Sequence, residues 1–232
     1  MRRNWKWVIL AVVVLAFLAV LPFSVTVVPI AEVEAVKAAE AFDAATYVEG
    51  IFDSQVVPTV QEKAVDLAAI LNQITVNEKG IAQKDDLIPI AQENGVITVG
   101  EAHVYMVKGQ GVVTAVDTES RVKTMTVKLD GYEGPIAVKL YTGPRIPSDE
   151  TSVRDAVGFL NFGDFRSQTE YGKVANELNK RIVSQVLGGV DVASLEGKTI
   201  AFTGAFGIRT FNLIDIDLNQ ILVAPVTLQV VE

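Results

Sequence analysis

The 232-residue chain contains no cysteine. That absence removes disulfide frameworks, thiolate metal sites, cysteine nucleophiles and any lipid-modified cysteine. Histidine is nearly as scarce. His103 is the only one, so a metal site would draw on a single imidazole and a Ser-His-Asp relay would have to run through it. Both tryptophans, Trp5 and Trp7, lie near the N-terminus, leaving none to stack a ligand elsewhere. Long Gly, Ser or Pro tracts are missing too, while 50% of the residues are hydrophobic. Enough apolar surface therefore exists to offset the entropy of ordering, which excludes a disordered or fibrous chain. The length suits one globular domain.

Charge is missing from residues 7–30, and Arg2, Arg3 and Lys6 precede that run. Its 24 residues, at about 1.5 Å each, reach roughly 36 Å as a helix, enough to cross a hydrocarbon core of about 30 Å. Trp5 and Trp7 stand where an aromatic belt belongs. A cleaved signal peptide would have a shorter apolar region ending at a small-x-small site, and Val28-Pro29-Ile30-Ala31 is a poor one. The reading adopted is an uncleaved, single-pass membrane anchor. By the positive-inside rule it places residues 1–6 in the cytoplasm and the bulk of the chain outside. Without Arg2, Arg3 and Lys6, 17 basic residues face 28 acidic ones, a net charge of −11. Such a field repels nucleic acid and anionic lipid, so nucleic acid is not expected as a partner. The acidic balance also serves solubility.

Residues 31–100 read as helical, with a stalk over 31–40. Asp43 is an expected N-cap. Val48, Ile51 and Phe52 form one apolar stripe before Pro58, and Ala64, Leu67, Ala68 and Leu71 form a second at helical spacing. Two packed helices are expected there. Gly80, Pro89 and Gly95 break the pattern over 77–100. From His103 the period changes to alternation, giving strands over 102–116, 122–129 and 135–141. Met125, Val127 and Leu129, then Ile136, Val138 and Leu140, face inward. Thr124, Thr126, Lys128, Ala137, Lys139 and Tyr141 face outward. Gly109 and Gly111 mark a bulge or bend in the first strand. After an irregular stretch, Ser167-Gln168-Thr169-Glu170 is a capping box opening a helix that Gly188 stops, with Tyr171, Val174, Leu178 and Ile182 on its buried side. Strands resume over 198–206 and 220–230, where Pro225 demotes part of the last to an edge or bulge. Three strands, a helix and two strands is the order of an OB-fold. The fold class expected for 101–232 is thus α+β, mainly β: an OB-like five-stranded antiparallel barrel with its helix between strands three and four. A different helix-plugged barrel and an open antiparallel sheet with helices on one side are the alternatives.

Several segments together resemble the predicted periplasmic lipoproteins of unknown function. They are Phe42-Asp43-Ala44, Val107-Lys108-Gly109-Gln110-Gly111-Val112-Val113, Thr142-Gly143-Pro144-Arg145, Arg154-Asp155-Ala156-Val157-Gly158-Phe159, Gly163-Asp164-Phe165, Gln168, Glu170-Tyr171, Leu178-Asn179, Gly197-Lys198 and Gly204-Ala205-Phe206. The resemblance implies an OB-like barrel in the cell envelope, often encoded beside sugar transport systems, and no established activity. One departure is plain: without cysteine this chain cannot carry the lipid.

Motifs for chemistry fail on their details. Gly197-Lys198-Thr199 resembles the end of a phosphate-binding loop, but Val192 stands where its first Gly belongs and a strand follows. Asp215, Asp217 and Asn219 alternate like a calcium loop, yet Val226 occupies the place of the bidentate Glu. His103 has no G-x-S-x-G partner. No catalytic residue, metal ligand or cofactor is expected. A pair of carboxylates meeting in space, as in a hydrolase, is not excluded by spacing. The polar group singled out is Arg145, Arg154, Asp155, Gln168, Tyr171 and Asn179. An Arg beside an Asp before Val157, Phe159 and Leu160 is expected to form a partly buried ion pair that fixes a loop, with ligand contact as the other reading. The function expected is a membrane-anchored, non-enzymatic extracytoplasmic binding or accessory domain. Its partners would be the membrane and transporter subunits or a small solute. The alternative is an OB-fold binding oligosaccharide or oligonucleotide.

Overall fold

The structure, a computed structural model, describes residues 5–24 and 42–231. Two compact units emerge, 1–42 and 43–232. In the first, helix α1 (Trp5–Ser24) has 20 residues with Lys6 as its one charge. Its side chains are described as far as Leu15. Among the described residues no helix is long and apolar enough to cross a membrane. The rest of the expected span, 25–30, and the expected stalk over 31–40 lie outside the described residues.

The second unit opens with α2 (Ala44–Ile51), capped by Asp43, whose carboxylate accepts from the Ala45 N–H at 3.0 Å. A π-helical turn (Phe52–Val56) leads into α3 (Val57–Lys63), with Pro58 in its first turn, where no backbone donor is needed. Val48 and Phe52 are fully buried, as their stripe requires. The second stripe is not one helix. The chain extends through β1 (Val65–Asp66) before α4 (Leu67–Leu71), because Asp66 caps the new helix by accepting from the Ala69 N–H at 2.9 Å. Meanwhile Val65 and Asp66 pair in parallel with Val107 and Lys108. The broken region 77–100 holds β2 (Ile81–Gln83), α5 (Lys84–Asn94) and β3 (Val96–Ile97). Pro89 sits inside α5 and does not end it.

Next come β4 (Ala102–Asp117), β5 (Lys123–Leu129), β6 (Ala137–Gly143), α6 (Ser152–Ala156), α7 (Gln168–Arg181), β7 (Thr199–Arg209), β8 (Asp215–Asp217) and β9 (Gln220–Val231). The long β4 pairs with β7 from Ala102 to Val112 and with β5 from Gly111 to Asp117. β5 pairs with β6, β6 with β9 and β9 with β7, so the pairings run through five strands and return to β4. The expected antiparallel arrangement needs one correction: β6 and β9 are parallel, and the sheet is mixed. Direction cannot alternate all the way round a ring of five, so one seam has to be parallel. The bend in β4 also sits elsewhere than at its glycines. The register shifts between Val113 and Ala115, whereas Gly109 and Gly111 make room for neighbouring strands. In β9 the register shifts beside Pro225, which pairs opposite Gly204 and needs no donor to β6, whose pairing ends at Val223.

Inward residues fill the ring: Val107, Met125, Leu140, Ile200 and Val223 are buried without remainder. Tyr105 stacks on Phe206 with ring centroids 4.9 Å apart, and its hydroxyl is buried with no hydrogen-bond partner. Burial holds this phenol neutral by raising its pKa. Since an unpaired buried hydroxyl is a net cost, Tyr105→Phe is expected to raise stability by about 1 kcal/mol, read as a higher urea midpoint with an unchanged slope.

Candidate functional site

Of the polar residues singled out by sequence, three converge. Arg154 lies in the middle of α6 and is 9% exposed. Its Nε and Nη2 donate to Asp155 Oδ1 at 2.8 and 2.7 Å, and Nη1 donates to the Tyr171 carbonyl at 3.1 Å. The guanidinium carbon lies 3.6 Å over the Tyr171 ring. The Tyr171 hydroxyl donates to Asp155 Oδ1 at 3.1 Å, and the Thr151 hydroxyl to Oδ2 at 2.7 Å. Phe162 and Phe165 close around the Tyr171 ring at 5.7 and 5.5 Å. Burial raises the Tyr171 pKa against the opposing pull of the Arg154 charge, so the phenol remains a donor. α7 holds Tyr171 because Ser167 caps it, accepting from the Glu170 N–H at 3.2 Å. The expected box is displaced by one residue: Glu170 returns to the Arg166 N–H.

Asn179, on the same helix, donates from Nδ2 to the Pro147 and Glu150 carbonyls at 3.2 and 2.9 Å. It thereby fixes the segment running into α6. Arg145 and Gln168 are exposed and join neither group.

The fixed segment walls a cleft of about 460 Å³ over the β6–β9 seam, lined also by Tyr141, Arg209, Asp217 and Gln220. Sequence alternation turned Tyr141 outward, but it is 5% exposed because the 147–150 segment covers that face. Its hydroxyl donates to Glu150 Oε2 at 3.3 Å, and burial, reinforced by that carboxylate, pushes its pKa up. Glu150 Oε1 accepts from the Ser152 N–H at 2.9 Å, Asp149 pairs with Arg209 at 3.0 Å, and Asp217 accepts from the Asn219 amide at 2.8 Å. Sequence reasoning missed this cleft, since its lining comes from four separated segments and no local spacing announces it. Among the described residues no group of three or more His, Asp or Glu could hold a metal ion.

His103 is 1% exposed near the start of β4, opposite Ile97 and Ile208, with Nδ1 unpartnered. Burial, aided by the Lys84 charge, lowers its pKa from the ordinary 6.5. Its folded value being the lower one, the unfolded chain takes up the proton first as pH falls. Stability is then full above about pH 6.5 and declines from there down to the folded value. His103→Leu is expected to abolish that slope in a series of melts between pH 7 and 5.

A model of the predicted periplasmic lipoprotein family DUF2291 matches residues 11–229. The chain belongs to this family. DUF2291 membership puts it among membrane-associated extracytoplasmic proteins, although it has no cysteine to acylate. Among solved structures, an OB-fold protein of Thermotoga maritima is similar, at a TM-score of 0.57 and 17% identity. The match covers 82% of this chain and 99% of that one. At that identity the likeness shows the fold: this DUF2291 chain is α+β, with a mixed sheet of OB-fold kind. No curated protein matches it.

Proposed function

We propose that the chain is a non-enzymatic accessory domain, an OB barrel tethered outside the cytoplasm by its own N-terminal helix, that binds a partner protein of a solute-uptake system of the sugar, ABC-transporter type. Support for the tether comes from the sequence, in which residues 7–30 carry no charge and follow Arg2, Arg3 and Lys6. A charge-free run of that length suits lipid, not water. In a family named for its lipid, a cysteine-free member needs another hold on the membrane.

The observation that favours a non-enzymatic role is the internal pairing of the polar groups that converge. Arg154, Asp155, Glu150 and Asp149 already have partners within the chain, which fits a role in holding the segment around α6 in place. Purification of the full chain from gently solubilised membranes tests this reading: stoichiometric recovery of permease or ATPase subunits supports it. A second reading rests on the cleft itself, whose volume and hydrogen-bonding lining suit an oligosaccharide. A chain recovered alone, whose melting temperature rises with added oligosaccharide, would favour that reading.

A further inference from the structure

We propose that two neighbouring turns, 98–101 and 210–214, form the surface on which that partner docks, and that the partner offers an apolar pocket rimmed by Lys and Arg. The inference rests on the accessory-domain reading and adds where and by what chemistry it binds. Val99, Phe211, Leu213 and Ile214 are 107%, 62%, 47% and 75% exposed, large apolar side chains that a solvated loop has no reason to display together.

The two turns form a single end of the ring. Ala102 pairs with Arg209 across the β4–β7 ladder, the Thr210 hydroxyl donates to the Glu101 carbonyl, and the Ile214 carbonyl accepts from the Lys84 N–H at 2.9 Å. Each turn is held by a residue in the left-handed region, Glu101 at φ 57° and Asn212 at φ 56°. Among the described residues these are the two non-glycines with positive φ. Backbone strain of this kind persists where the surroundings impose it, and it gathers at functional surfaces.

Charge selects the occupant. Lys84 and Glu101 neutralise each other at 2.5 Å, while Asp85 and Asp86 at the start of α5, and Asp215 after the second turn, stand exposed beside the patch. An anionic bilayer is repelled by that rim, and so is a second copy carrying the same acids. A protein with basic residues around an apolar recess satisfies both the centre and the edge.

The test places the photocrosslinker p-benzoylphenylalanine at position 99 or 214 of the full chain in its own membranes, with positions 173 and 196, both exposed, for comparison. The expected result is one protein adduct at 99 and 214 but not at 173 or 196, its crosslinked peptide rich in Lys or Arg beside apolar residues. Its yield should fall at least about ten-fold with Asp85→Lys, Asp86→Lys and Asp215→Lys together, and by less with the corresponding Asn changes, in chains that melt as the parent does. An adduct of twice the chain's mass, an adduct with lipid alone, or a yield indifferent to charge reversal overturns the proposal. Adducts confined to 173 or 196 overturn the patch and leave the accessory role standing; no adduct at any position removes both.

Discussion

Gly111→Ala will prevent the ring of strands from closing. A methyl group at this position would lie 2.2 Å from the Lys128 carbonyl oxygen and 2.9 Å from the Leu129 Cα, both backbone atoms that no rotamer change can move aside. The position is also clamped from two sides, because Gly111 is opposite Ile200 in β7 and opposite Leu129 in β5. Relief requires the two ladders to separate just where β4 passes from one neighbour to the other. The cost expected is about 3 kcal/mol or more, at the upper end of overpacking, a large fraction of the stability of an ordinary domain. Gly172→Ala is the control: it lies within α7 with nothing within 4 Å of the added methyl, and better helix propensity should stabilise the chain by about 0.5–1 kcal/mol. Urea melts of the two variants should therefore move in opposite directions. A Gly111→Ala chain as stable as its parent would show that β4 does not cross between β7 and β5 at this point.

Arg154→Met is expected to be nearly as damaging, for an electrostatic reason. The side chains of Arg154 and Asp155 are 10% and 13% exposed. Removing the guanidinium leaves the Asp155 carboxylate with only the Thr151 and Tyr171 hydroxyls, far from bulk water. Breaking such a pair costs about 3–5 kcal/mol, much of it the penalty of the stranded charge. Replacing both, Arg154→Met with Asp155→Leu, should recover most of the loss, since no charge remains to be solvated. This cycle separates the two readings of the cluster. A positioning role predicts a large single-variant loss and a mild double variant. Ligand contact predicts single variants of parental stability that have lost binding.

Legibility in the sequence followed the range of the forces involved. The caps at Asp43 and Ser167 are local, and both were readable from residue type and spacing. Alternation in 122–129 and 135–141 was readable because the sheet's two faces differ in what they pack against. What escaped depends on distant partners. The break at Asp66 competes with a good helical stripe, and it prevails because Val65 and Asp66 gain ladder bonds to β4, some forty residues on. α5 was hidden by Pro89 and Gly95, which read as breakers although one lies within the helix and the other just beyond its end. Tyr141 follows strand alternation and yet is covered, because a segment tied down by Asn179 lies over it. The Arg154–Asp155 pair was legible as neighbouring opposite charges before an apolar run. The role of its third member, the Tyr171 ring, was not legible, and Arg145 and Gln168 carried no signal to separate them from it.

Protease shaving of intact spheroplasts, with one tag before Arg2 and another after Glu232, tests the topology most directly. The expected result is loss of the C-terminal tag without detergent, survival of the N-terminal tag, and retention of the untreated chain in the membrane pellet after alkaline washing. A C-terminal tag that survives until the cells are lysed, or a chain released to the supernatant and trimmed near residue 30, would contradict it.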